Sequence, residues 1–284
     1  MLLETDQVSF TVGGIPFGQV DEFGVDWSIE QLEGWTGSTR STSEITQKPR
    51  QSGGWRSTGY SGARSISASG KIFAPDAASL SSAFDRLNAA IPAGVDRQFA
   101  VTDAAGTRWV NVQQSDDVLT NWLMTNIGTW SIQVEAADWR KFGESLSGST
   151  KLPSTTGGLT VPFTVPFSIN ATTVTGQVSL TNTGNESGTV VLRIDGPCTG
   201  PIVTHQPSGR VLAFSSSLAL QAGEYLLIDM DARTALANGQ ANRAGYITSR
   251  GWSSFRPGAN TWSFTAAQYN ASSQLTVTAV PAWR

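Results

Sequence analysis

The feature that most constrains this chain is a series of short apolar runs with period 2, each cut off by turn residues, between residues 176 and 284. Val190–Asp195 (VVLRID) stops at Gly196-Pro197, and Glu224–Asp231 (EYLLIDMD) follows the turn Gln221-Ala222-Gly223. Asn260–Phe264 (NTWSF) is launched by Arg256-Pro257-Gly258. Successive side chains of a strand point to opposite faces, so alternation bounded by Gly, Pro, Asn or Asp predicts strands and hairpins. The back half therefore reads as one antiparallel β-domain. Composition agrees: only 14% of the 284 residues are charged, with 29 Gly, whereas helical surfaces carry Lys and Glu in quantity.

Charge divides the chain in two. Residues 1–150 carry 11 basic and 17 acidic side chains, a balance of −6, and residues 151–284 carry 8 and 5, a balance of +3. Two domains with different surroundings account for this. The net charge of −3 gives no sign of nucleic-acid binding. A single cysteine, Cys198, rules out an intramolecular disulfide. The start, MLLETDQVSF, lacks a basic n-region and a long apolar core, and no run approaches the roughly 20 apolar residues that span a bilayer. Cytoplasmic synthesis without membrane insertion is the expectation.

The front half opens with strands at Val8–Val12 and Gly24–Ile29. Residues 33–64 then change character. They are rich in Gly, Ser, Thr and Arg, with Trp35, Ile45, Trp55 and Tyr60 as the large apolar anchors. So long a stretch without core residues is a surface loop or an extended arm that orders against a neighbour; spaced aromatics favour the arm. Trp35, Trp55 and Tyr60 are the candidate oligomer-interface residues. Strand alternation returns in SISASGKIF, and Pro75-Asp76 looks like a helix start with Asp76 as N-cap. Leu80, Phe84, Leu87 and Ile91 fall at helical spacing and predict one amphipathic helix over about 77–91. Strands follow at RQFAVT, TRWVNVQ and TWSIQVEA. The predicted organisation is a domain over 1–148, a linker over 149–160, and a second β-domain over 161–284.

Three ordered segments carry a family resemblance: LTNTGNESGTVVLRIDGP, AGEYLLIDMDARTALANGQ and FRPGANTWSF. Together with the strand-then-helix segment RSISASGKIFAPDAASLSSAFDRLNAAI and the closing stretch AADWRKFG, they resemble the distal tail proteins of long-tailed, siphovirus-type bacteriophages. A Pro often stands in that family where Trp139 stands here. The resemblance implies a mainly β fold: an N-terminal β-domain with one helix and an arm, followed by a galectin-like β-sandwich. It also implies a homohexameric ring at the virion's tail tip, whose partners are other copies of the chain, the tail tube protein and the tail-tip or receptor-binding proteins. The implied role is structural. The alternative is a carbohydrate-binding adsorption protein that takes a host glycan.

Little in the sequence points to chemistry. His205 is the single histidine and no G-x-S-x-G is present, so a Ser-His-Asp hydrolase has no obvious nucleophile. One His and one Cys cannot supply a Cys/His zinc site. Asp229 and Asp231 share a strand face and could bind calcium or serve a glycosidase, but Asp after a strand commonly caps a turn. In Gly143–Lys151 the Lys does not follow Gly148, so no P-loop is formed. The sequons at Asn170, Asn185 and Asn270 carry no meaning without a secretory signal. Trp130 and Trp262 alternate with apolar neighbours and read as core. No catalytic residue, cofactor or metal is expected.

Overall fold

The structure, a computed structural model, describes residues 8–152 and 176–284. The end of the expected linker (153–160), the start of the expected second domain (161–175) with the Asn170 sequon, and residues 1–7 lie outside the described residues. The chain divides into two compact units, one ending at Gly143 and one running from Glu144 to Trp283.

In the first unit, β1 (Ser9–Val12) and β2 (Ile15–Phe17) form a hairpin, followed by β3 (Asp26–Glu33). The short strands β4 (Ile45–Gln47) and β5 (Gly54–Arg56) come next, then β6 (Arg64–Phe73) and the helix α1 (Ala77–Ala90). β7 (Arg97–Asp103), β8 (Gly106–Gln114), β9 (Leu119–Met124), β10 (Ile127–Ala136) and β11 (Lys141–Phe142) complete it. One layer runs β2-β1-β7-β8-β11, and a second has β10 between β6 and β9, with β3 outside β6. β8 reaches both, pairing Gln113 and Gln114 with Glu135 and Val134 of β10.

The alternation seen in sequence is what fills this core. Phe10 stacks on Phe17 at 4.5 Å and on Phe99 at 4.7 Å, and Phe17 meets Trp130 at 4.5 Å. Helix α1 starts where expected: the Asp76 carboxylate accepts from the Ser79 N–H at 2.7 Å, and that bond holds the carboxyl below its ordinary range. Its buried face presents Leu80, Ala83, Phe84 and Leu87. Removing the Leu80, Phe84 and Leu87 side chains from water stabilises by roughly 1.5–3 kcal/mol each. Gly128 of β10 leaves the space into which the Phe84 ring projects; a Cβ there would stand 2.6 Å from Phe84.

The second unit is a sandwich. One sheet contains, in spatial order, β12 (Leu146–Lys151), β23 (Gln274–Trp283), β14 (Glu186–Asp195), β18 (Tyr225–Asp229), β19 (Thr234–Ala237) and β20 (Ala241–Asn242). The other runs β13 (Gln177–Asn182), β22 (Gly258–Tyr269), β15 (Cys198–His205), β16 (Arg210–Phe214) and β21 (Ile247–Arg250), with β17 (Ala219–Leu220) beside β15. Val190, Leu192 and Ile194 of the first sheet and Val203, Leu212, Trp262 and Phe264 of the second enter one core. This is the mainly β, one-helix architecture anticipated from the sequence.

Two expectations are corrected here. The units part at Gly143/Glu144, not at 148/149. Residues 149–151, read as linker, belong to β12, which pairs Leu146–Lys151 with Ala279–Gln274 of β23. The stretch looked like linker because it contains almost no apolar residue; backbone hydrogen bonds to β23 hold it instead.

Candidate assembly surfaces

The arm exists as a hairpin. Its root is closed by Gly62 N–H donating to the Arg40 carbonyl at 2.8 Å, and the ladder continues through Thr42 N–H to Tyr60 O and Ser57 N–H to Glu44 O. Ile45, Thr46 and Gln47 then pair with Arg56, Trp55 and Gly54, and Lys48 N–H reaches Gly53 O at 3.1 Å. Among the described residues, β4 and β5 pair only with each other. An isolated two-stranded ribbon is marginal in water, because it has no third layer on which to bury a face. Here Trp55 is 59% and Tyr60 70% exposed, and Ile45 is exposed beside them. Four basic side chains (Arg40, Lys48, Arg50, Arg56) against Glu44 give the hairpin a charge of +3.

Trp35 is the exception among the expected interface residues. It is 3% exposed, with its ring 6.0 Å from Phe99 in the core of the first unit. Gly34 makes this possible. At φ +79 it turns the chain where a Cβ would collide with the Ser65 carbonyl at 2.0 Å. The irregular backbone that follows is satisfied by two buried cations. The Arg64 guanidinium donates to the carbonyls of Gly34 (2.7 Å), Trp35 (3.2 Å) and Gly37 (3.0 Å), and from its other edge to Trp139 (3.0 and 3.2 Å). Lys141 Nζ donates to Trp35 O at 3.2 Å and lies over the Trp35 ring. Neither cation forms a salt bridge among the described residues. Burial lowers the pKa of Arg64, and burial together with the Arg64 and Arg108 charges pushes Lys141 down to about 8. One guanidinium thus joins the arm's root to the AADWRKFG stretch.

A second exposed surface lies on β9, which among the described residues pairs with β10 alone. Leu119, Trp122, Leu123 and Met124 are all more than half exposed on this six-residue edge strand. Trp122 leans edge-on against Phe84 of α1 at 5.4 Å. Long apolar edges are usually shielded in soluble proteins, because their free N–H and C=O groups recruit another strand. The acidic pair Asp116-Asp117 precedes β9. Outside the hairpin, residues 8–39 and 63–143 carry 13 acidic and 7 basic side chains, a balance of −6. Sequence reasoning missed β9 because LTNWLM does not alternate; four large apolar residues after a turn were the available signal.

The candidate chemistry of the second unit resolves into structural bonds. His205 is buried, its Nδ1 2.7 Å from Ser208 Oγ and its Nε2 3.0 Å from Asn260 Oδ1. Asn260 also donates to the carbonyls of Arg256 and Gly258. The residues of the FRPGAN turn are therefore tied to the β15–β16 connection through one imidazole, whose pKa burial lowers. Asp229 Oδ1 accepts from the N–H groups of Asp231 and Ala232, the turn cap that was the simpler expectation. Among the described residues no cluster of three or more His, Cys, Asp or Glu is arranged to hold a metal.

Residues 183–283 match the family described as siphovirus-type tail component, C-terminal domain. No curated protein matches the chain. The crystal structure of SPP1 Dit, described as a paradigm of the hub adsorption apparatus in phages infecting Gram-positive hosts, superposes with a TM-score of 0.66 at 11% identity, covering 98% of this chain and 99% of that one. A chain of the phage P2 baseplate in its activated conformation with Ca gives 0.52 at 12% identity, over 96% of this chain and 97% of that one. Its counterpart with Sr gives 0.50 at 13% identity, over 93% and 99%. At these identities the likeness speaks for the fold, and the family match speaks for the second unit. Residues 183–283 thus match the C-terminal domain of siphovirus-type tail components, on a chain whose fold is similar to that of SPP1 Dit.

Proposed function

We propose that this chain is a structural hub of a siphovirus-type phage tail. Its first unit forms a ring that joins the tail tube to the tip or host-adsorption apparatus. The observation that carries this reading is the pair of dissimilar exposed surfaces on the first unit: the basic hairpin with Ile45, Trp55 and Tyr60, and the apolar strand β9 beside Asp116-Asp117, on a body of net negative charge. A surface that fits a different surface of an identical copy makes head-to-tail contacts, and such contacts close into rings when the rotation permits. Opposite charges speed encounter and fix the register. Sixfold closure is taken from the family resemblance. In this reading the arm reaches over a neighbouring copy, and the tube protein and the tip proteins bind the two faces of the ring. The protein is made in the host cytoplasm and resides in the virion at the tail tip. The role is geometric and includes no catalytic step.

Negative-stain microscopy and light scattering of the purified chain test the proposal, alone and mixed with the tube protein of the same phage. Closed rings are expected. A particle that stays monomeric at micromolar concentration in both samples would remove the basis for the hub reading.

A further inference from the structure

The two sheets of the sandwich differ in charge. Between residues 176 and 284 the carboxylates are Glu186, Asp195, Glu224, Asp229 and Asp231, and all lie on β14 and β18 of the first sheet or in the turns beside them. The strands of the second sheet, with the connections 206–209 and 251–257, hold no acidic residue. They carry Arg210, Arg250 and Arg256.

The three arginines gather at one end of that sheet. Arg210 begins β16 opposite His205 of β15. Arg250 ends β21 opposite Leu212, two residues along from Arg210. The two arginines therefore share a face as diagonal neighbours, about 7–8 Å apart along the backbone. Gly251 permits the close approach of the two strands: a Cβ there would stand 2.3 Å from the Val211 nitrogen, and its N–H donates to the Val211 carbonyl at 3.0 Å. The next carbonyl, of Trp252, accepts from Arg210 Nη1. Arg256 is fixed from the other side. Its N–H donates to Asn260 Oδ1 at 3.1 Å and its carbonyl accepts from Asn260 Nδ2 at 2.7 Å, the same amide that meets His205. Burial, and after it the charges of Arg256 and Arg210, lower the His205 pKa. All three arginines are exposed, and among the described residues none of them forms an ion pair. Glu186, two residues before the Gly188–Phe255 bridge at this end, turns its carboxylate to the Ser187 N–H at 3.0 Å.

From this cluster we infer that the end of the second sheet binds a thin, unbranched polymer carrying phosphodiester groups. Like charges held this close repel each other, and an anion between them turns the repulsion into attraction. Each guanidinium presents a planar fork of N–H donors. A carboxylate is planar and is filled by one fork. The oxygens of a phosphodiester are arranged tetrahedrally, so one group accepts from Arg210 and Arg250 together. Arg256, on the far side of His205, takes the next group along the polymer. A folded acidic protein fits less well, because protein interfaces centre on large apolar anchors. The exposed large hydrophobics of the second unit, Tyr246 and Tyr269, stand at the opposite ends of β21 and β22. A bilayer surface calls for apolar side chains to insert, and here Phe255 is buried and Trp252 half-buried. Duplex DNA is opposed by the chain's net charge of −3. The site lies within the second unit and stands apart from ring assembly.

The test titrates the full chain into a fluorescently labelled glycerol phosphate oligomer, too short to bridge two copies, and reads anisotropy. Polyglutamate and vesicles of an anionic phospholipid are the competing ligands. Binding to the oligomer is expected, with log affinity falling against log salt at a slope of about 2, as three phosphate contacts on a thin polyanion give. Arg250→Gln with Arg256→Gln removes side chains that have no hydrogen-bond partner among the described residues. It should weaken binding at least about tenfold, the loss of a charge-assisted hydrogen bond, with Tm and ring size unchanged. The control is Arg50→Gln with Arg56→Gln on the basic hairpin, which should leave the affinity within about twofold, less than one such bond is worth. No binding to the oligomer, tighter binding to polyglutamate, or binding to the vesicles alone would overturn the assignment. So would binding that the sandwich variant keeps and the hairpin variant loses. None of these outcomes bears on ring closure, so the phosphodiester site and the hub reading fail separately.

Discussion

Lys141 offers a test of how the arm's root is held. Its ammonium is buried against the Trp35 carbonyl, with Arg64 and Arg108 as the nearby positive charges, and its pKa falls from 10.5 to about 8. The folded state therefore gives up this proton more readily than the unfolded state does. Between about pH 8 and pH 10.5 the unfolded chain binds more protons, so stability gains with rising pH across that window. At 1.36 kcal/mol per pKa unit, the gain between about pH 7 and pH 10 comes to about 2.5 kcal/mol. Other groups titrate there too. Burial raises the Cys198 thiol to about 11, which acts in the opposite direction. Comparison with Lys141→Met cancels these shared contributions. Urea unfolding followed by tryptophan fluorescence, at about pH 7 and about pH 10 with reductant, reads the difference. The wild type should gain on the variant by about 2–3 kcal/mol over that range. A difference independent of pH would show that Lys141 is solvated, and the account of the root would be wrong.

Trp35→Ala should destabilise the isolated first unit by about 3–5 kcal/mol, as removal of a buried Trp does, whereas Trp55→Ala with Tyr60→Ala should leave monomer stability within about 0.5 kcal/mol while weakening the ring. Thermal melting and sizing on the same samples separate the two. Reversing the arm's charge, Arg50→Glu with Arg56→Glu, should dissolve rings, and adding Asp116→Lys with Asp117→Lys should restore them in part; loss without recovery in analytical ultracentrifugation would deny β9 a place in that contact. His205 is held neutral by burial, below its ordinary 6.5. Stability should therefore fall as pH drops below 6.5, and His205→Gln should flatten that slope in acid-denaturation curves.

Much of this fold was legible because the strands that form it alternate. VVLRID and NTWSF lie inside β14 and β22, and the stripe from Leu80 to Leu87 lines the buried face of α1. The arm was visible as an absence of core residues between strands. Trp35 was misread for a physical reason. Its neighbours are polar, and what lets it bury is a guanidinium 29 residues away in sequence that meets four backbone carbonyls. Contacts of that kind leave no periodic trace. β9 and β12 went unread because neither alternates between apolar and polar, and both are held by pairing to strands that do.

The Arg64 root also divides the molecule's response to salt. Its guanidinium is matched by neutral carbonyls, so dissolved ions have no carboxylate partner to displace and little access to the buried charge. The hairpin beyond it carries its charges in solvent, where about 1 M salt shortens the reach of electrostatic attraction to roughly 3 Å. Concentrated salt should release the arm from whatever it grips and leave its base set at the same angle. A ring taken apart in this way would be ready to close again on dilution, with each subunit still pointing its hairpin where the neighbour will be.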